Sequence, residues 1–119
     1  MGKEPKCIKI ADVEASVPPK HTNTYTWGLA TKDNVGAEKV NVLVSEIQPG
    51  GTADPDIHPD SEQLNFVLSG RAKAVVGGKE FLMEPNSCLF IPPNTEHSME
   101  AIGKETFRTL VIFSPPLKQ

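Results

Sequence analysis

At 119 residues with 38% hydrophobic side chains, the chain is long enough for one domain with a modest core and too short for a second. Twelve basic and fifteen acidic residues give a net charge of −3, with no basic footprint for nucleic acid and no basic run for a membrane surface. No apolar window of about 18 residues occurs, the opening MGKEPKC lacks the apolar core of a secretion signal, and Lys6 stands where a myristoylation motif needs Ser or Thr, so a cytoplasmic protein is expected.

The first 38 residues are the least regular. CIKIADV and TYTWGLA are candidate edge strands, whereas EASVPPKHTN and TKDNVGAEK look like loops. This segment, residues 1–38, is expected to supply strands, loops and dimer contacts. Tyr25 and Trp27 fit packing or a dimer contact better than substrate stacking. The barrel proper is expected over residues 39–116, the whole forming one domain. KVNVLVSEI alternates with period two, and PGG ends it. QLNFVLS sets Leu64, Phe66 and Leu68 against Gln63, Asn65 and Val67. RAKAVVG follows, the Gly77-Gly78 pair predicts a hairpin, and KEFLME is its partner. CLFI, HSMEAI and FRTLVIF complete the set, separated by turns at intervals of roughly eight to twelve residues. This is the signature of an all-β barrel or sandwich. Cys7 and Cys88 lie far apart, form no metal-type pair and fit a reducing compartment, and Cys88 within SCLFI is expected to be a small buried hydrophobe.

The spacing of the polar residues in GGTADPDIHPDSEQLNFVLSG and IPPNTEH is informative. Five residues separate Gly50 from Asp56, one separates Asp56 from His58, four separate His58 from Gln63 and six separate Gln63 from Gly70. Pro92, Asn94 and His97 follow at a spacing of one and then two intervening residues. Residues two apart on an extended segment point to the same side, so Asp56 and His58 should face together. A competing register would use Asp60 and Glu62, but it breaks the count from Gly50. Taken singly, His58 is an ordinary surface histidine and His97 an ordinary strand residue. Asp60 and Glu62 fit solvated loop acids.

The pattern resembles the cupin superfamily, whose first motif is Gly, five residues, His-x-His, three or four residues, Glu, six residues, Gly, and whose second is Pro-x-Gly, two residues, His. The resemblance spans residues 40 to 115 and implies an all-β, cupin-type jelly-roll β-barrel. Here Asp56 replaces the first His, Gln63 the Glu, Asn94 the Gly of the second motif, and PNS at 85–87 the usual PGD. The resemblance implies Asp56, His58, Gln63 and His97 as ligands of a divalent transition metal (Fe, Mn, Ni or Zn), with the same net ligand charge as the family's set. Asn65 shares a face with Gln63 and would line the pocket. IHPDSEQ, IPPNTEH and VIFSPP are similar to cupins that convert unsaturated uronates, in which a Gln often stands at the position of Gln63. Their catalytic Asp and Arg correspond here to Val111 and Leu117, so that reaction does not carry over.

The expected function is metal-assisted chemistry on a small carboxylate, sugar acid or enediol-type metabolite, of isomerase, lyase or dioxygenase class, with Glu96 or Glu62 as candidate general base. The alternative is a non-catalytic small-molecule binder or sensor with a vestigial site, and a purely structural role ranks last. Leu64, Phe66 and Leu68 need cover from the second sheet or another chain, and a homodimer is expected.

Overall fold

Strict in–out alternation builds most of the molecule. The structure, a computed structural model, describes residues 3–117. Among these, nine strands follow in chain order: β1 (Thr24–Ala30), β2 (Asn41–Ile47), β3 (Thr52–Asp56), β4 (Glu62–Ser69), β5 (Arg71–Val76), β6 (Lys79–Met83), β7 (Cys88–Ile91), β8 (His97–Ile102) and β9 (Phe107–Ser114). They form a five-stranded sheet in the order β1-β2-β9-β4-β7 and a four-stranded sheet in the order β3-β8-β5-β6. All pairings between them are antiparallel. The all-β jelly-roll expected from the sequence is the observed fold.

The inner faces enclose the core. Val67, Ala72, Ala74, Met83, Ile91 and Phe107 are almost fully buried between the sheets. The period-two pattern explains this directly: β5 buries Ala72, Ala74 and Val76 and exposes Arg71, Lys73 and Val75. In β4 the inward set is Gln63, Asn65 and Val67, so the polar half of that strand enters the barrel. Leu64, Phe66 and Leu68 do not pack on the second sheet but occupy the outer face.

Three local expectations change. CIKIADV forms no strand; it carries only a 3-10 turn at Ile10–Asp12. TKDNVGAEK contains one helical turn, α1 (Lys32–Val35), because Thr31 and Asn34 cap its start reciprocally and Gly36 ends it in the left-handed conformation. Cys88 is exposed, not buried: in β7, Leu89 and Ile91 take the inner face, so Cys88 and Phe90 must point outward.

β3 is a strand that alternation conceals. Its sequence TADPD is polar and carries Pro55, which an edge strand tolerates because one side of its ladder is unpaired. The segment before β1 then acts as a strap. Ser16 bridges Thr26 of β1, and His21 bridges Ala53 of β3. Residues 16–21 therefore span the seam between the edges of the two sheets, fixed by Ser16 N–H to Thr26 O at 2.8 Å and Asp54 N–H to Lys20 O at 2.7 Å.

Candidate functional site

The strap, β3, β8 and the inner face of the five-stranded sheet enclose a cavity of about 190 Å³. Its wall includes Asp56, His58, Gln63, Asn65 and His97, all of the metal and pocket residues expected from the sequence. Glu62 and Glu96 are exposed and stand outside the lining, as does Asp60.

The two histidines come together. His97 opens β8 and pairs with Asp56 of β3, while His58 follows β3. Their ring centroids are 5.1 Å apart. His97 Nδ1 lies 3.0 Å from the Thr95 carbonyl. A carbonyl only accepts, so Nδ1 carries the proton and the neutral ring offers its Nε2 lone pair. His58 meets the edge of Phe113 at 5.4 Å, which sets its ring plane. Burial first, then the neighbouring His97, push its pKa below the ordinary 6.5, against a smaller opposing pull from Asp56. For His58 these effects favour the neutral ring, which can donate a lone pair.

Gln63 brings an uncommitted oxygen. Its Nε2 donates to Asn65 Oδ1 at 2.8 Å, but its buried Oε1 has no hydrogen-bond partner among the described residues. Such an orphan acceptor costs about 1–3 kcal/mol unless something else satisfies it. Asn65 in turn approaches Thr109 Oγ1 at 3.5 Å, and Thr109 donates to the Phe66 carbonyl at 3.2 Å. The amide ladder is therefore anchored at its far end and leaves Oε1 buried without a partner, in a residue that lines the cavity.

Asp56 is placed differently. Its Oδ1 accepts from its neighbour's backbone, Ile57 N–H, at 2.9 Å and from Lys20 Nζ at 3.2 Å. Burial is the largest single influence and opposes its ionisation, but the two hydrogen bonds together with the charges of His58 and Lys20 hold the carboxyl below its ordinary value. Among the described residues, no three His, Cys, Asp or Glu side chains converge as a metal cage. The donors the structure gathers are two imidazoles and one amide oxygen, with the carboxylate turned to the strap. Lys20 and Asp56 form an exposed ion pair, worth at most about 1 kcal/mol, so little energy holds the carboxylate there.

The loops that hold the histidines explain the altered motif residues. Asn94 N–H donates to the His58 carbonyl at 2.8 Å, tying the two motif segments together. Asn94 has φ +57° and Asn86 φ +69°. Both occupy the left-handed region, which asparagine tolerates best after glycine, so the turns survive both substitutions.

Sequence spacing missed five contributors. His21, Pro18 and Pro19 line the cavity from the strap, and Val111 and Leu117 line it from β9 and the segment after it. The available signal for His21 was scarcity: the chain has three histidines, and all three line this one cavity. Among the described residues the lining contains no Lys or Arg.

A jelly-roll barrel with inward histidines, one before the second motif strand and one on it, defines a class. The chain belongs to the cupin-domain family (Cupin_2), whose model matches residues 43–113. It is 26% identical over 107 residues to the polyketide synthase CurC of Streptomyces cyaneus, covering 90% of this chain and 70% of that one. It is 32% identical over 96 residues to the mannose-1-phosphate guanylyltransferase of Klebsiella pneumoniae, covering 80% of this chain but only 20% of that protein. The chain thus spans about a fifth of that enzyme's length. The structure of the polyketide cyclase RemF from Streptomyces resistomycificus superimposes with a TM-score of 0.84 at 24% identity, covering 98% of this chain and 83% of that one, a likeness of fold.

Proposed function

We propose that the barrel cavity is a metal-assisted site for a small, neutral, oxygen-bearing molecule. The observation that carries this is the meeting of His58 and His97 at 5.1 Å with the orphaned Gln63 Oε1 in the same cavity wall. Two imidazoles and an amide oxygen fit a divalent transition metal such as Fe, Mn, Ni or Zn. Asp56 joins them on release from Lys20. Such a metal, when bound, supplies Lewis acidity toward a ligand oxygen. The chain's own residues position the donors: Thr95 fixes His97, Phe113 fixes His58, and Asn65 holds the Gln63 amide.

The lining narrows the ligand. Beyond the metal itself, a carboxylate or sugar acid would find no Lys or Arg in the lining, and Val111 and Leu117 present apolar surface where uronate-converting cupins carry charge. Of the ligand types left open by the sequence, the enediol or enolic type fits best. CurC and RemF bear names of polyketide chemistry, and carbonyl and enol groups on an apolar body are what this cavity can accept. The reaction class stays within isomerase, lyase or dioxygenase chemistry. The exposed Glu62 and Glu96 are remote candidates for a base, since neither lines the cavity.

The second reading, a binder without turnover, is favoured by one observation, the Asp56 carboxylate engaged by Lys20 rather than aimed at the histidines. In both readings the protein works as a homodimer in the cytoplasm, where the exposed free thiols of Cys7 and Cys88 remain reduced.

Metal analysis of the purified chain tests the site. Stoichiometric metal is expected, lost in His58→Ala and in His97→Ala, and weakened about tenfold or more in Gln63→Met. Absence of metal after supply with each of the four candidates would sink the metal site. Turnover of an enolic substrate that stops with chelator would decide for the enzyme over the binder.

A further inference from the structure

The strap brings a third imidazole to the cavity, and the chemistry above does not use it. His21 is half-buried and lines the same wall as His58 and His97. Its Nδ1 lies 2.7 Å from the Pro19 carbonyl. That carbonyl can only accept, so Nδ1–H is the donor and the ring is held in one tautomer. In the neutral ring Nε2 then carries a lone pair, and among the described residues that nitrogen makes no hydrogen bond. The backbone around it is rigidly placed. Lys20 lies at φ +62°, Asp54 N–H donates to Lys20 O at 2.7 Å, and Thr22 N–H donates to Thr52 O at 2.8 Å.

Other polar groups of the wall are already engaged: Asp54 accepts from Thr52, and Asp56 from Lys20 and Ile57. Thr26 and Ser45 share a hydrogen bond of 2.9 Å, and Gln63, Asn65 and Thr109 form the amide ladder. With His58, His97 and Gln63 Oε1 assigned to the metal, His21 Nε2 is the imidazole nitrogen left for a guest. Like the Asp54 and Asp56 carboxylates in the same wall, it is a hydrogen-bond acceptor, which suits a guest that donates.

We propose that His21 is a ligand-contacting, specificity-determining residue whose Nε2 accepts a hydrogen bond from an enolic or phenolic hydroxyl of the molecule held in the barrel. This rests on the reading of the cavity as a ligand site and adds to it a requirement for a hydroxyl donor. A ligand of the same shape without that hydroxyl loses the contact and leaves Nε2 unpaired.

Phenol and its near-isostere toluene are the probes, since neither chelates metal and only phenol donates. With only three histidines, the imidazole nitrogens of the zinc-supplied, 15N-labelled full chain are resolved and assigned by single substitution. The expected result is that phenol, and not toluene, shifts the His21 Nε2 resonance. In His21→Phe the affinity for phenol drops about five- to tenfold, the loss of one hydrogen bond, while that for toluene stays level. If phenol shifts the His58 or His97 resonances and leaves His21 unmoved, the role of His21 is overturned and the cavity reading stands. If phenol and toluene shift none of the three, both are overturned. The titration of the unaltered chain gives this answer even if His21→Phe does not fold.

Discussion

At His58, burial and the neighbouring imidazole of His97 act in one direction and Asp56 in the other, and burial with His97 prevails. The folded pKa is therefore below the ordinary 6.5. As the pH falls past about 6.5, the unfolded chain takes up a proton at this position before the folded chain does, and stability declines until the folded ring also titrates. Asp56 adds a separate, lower window: its folded pKa lies under the ordinary 3.8, so its contribution is complete above that value and is lost as the pH drops through the folded one. The urea midpoint of the metal-free chain should accordingly fall between about pH 7 and about pH 5.5, and His58→Gln should flatten that slope. An unchanged slope in the variant would assign the effect to another group.

At the scale of the element, Gly70 shows what the spacing of the first motif encodes. It has φ +73°, and a Cβ built there meets the Thr106 carbonyl oxygen and lies 2.8 Å from Phe107 Cα. Both contacts are backbone and cannot step aside. Gly70→Ala should cost about 2 kcal/mol or more, from the left-handed conformation and the collision together, read as a lower thermal midpoint. Such turns, with the alternation of β4, β5, β8 and β9, made the barrel legible in the sequence. β3 was not, because Pro55 and three polar neighbours replace the apolar rhythm. The strap was not, because isolated bridges have no period to detect. The site shows the same division. His58, Gln63 and His97 follow from interval counting along continuous strands and turns. The orientation of the Asp56 carboxylate does not, since its partner Lys20 arrives from 36 residues away. Cys88 was misplaced because CLFI is apolar on both faces and gives no sign of which one is inside.

For the whole molecule, the outer face of the five-stranded sheet carries the main unfinished surface. Register places Trp27, Val44, Leu110, Phe66 and Cys88 side by side across all five strands. A second row aligns Val42, Ile112, Leu64 and Phe90. Phe66 and Phe90 are 37% and 49% exposed, more than an apolar face in water should leave bare. Val44 is already covered within the chain, and a two-fold pairing of this face with its copy would bury the exposed members of both rows. Light scattering at micromolar concentration should return a dimer, and Phe66→Glu with Phe90→Glu a monomer; a monomeric unaltered chain would overturn the homodimer. The strap meets the opposite hazard. β1 and β3 each end a sheet, and an open strand edge is a template on which another chain can add itself. By spending its few backbone groups on Thr26, Thr52 and Asp54, the strap denies those edges to foreign strands. The same strap that supplies Pro18, Pro19 and His21 to the cavity wall thus also guards the protein against aggregation, so mutations selected for a wider mouth will tend to be selected against by solubility.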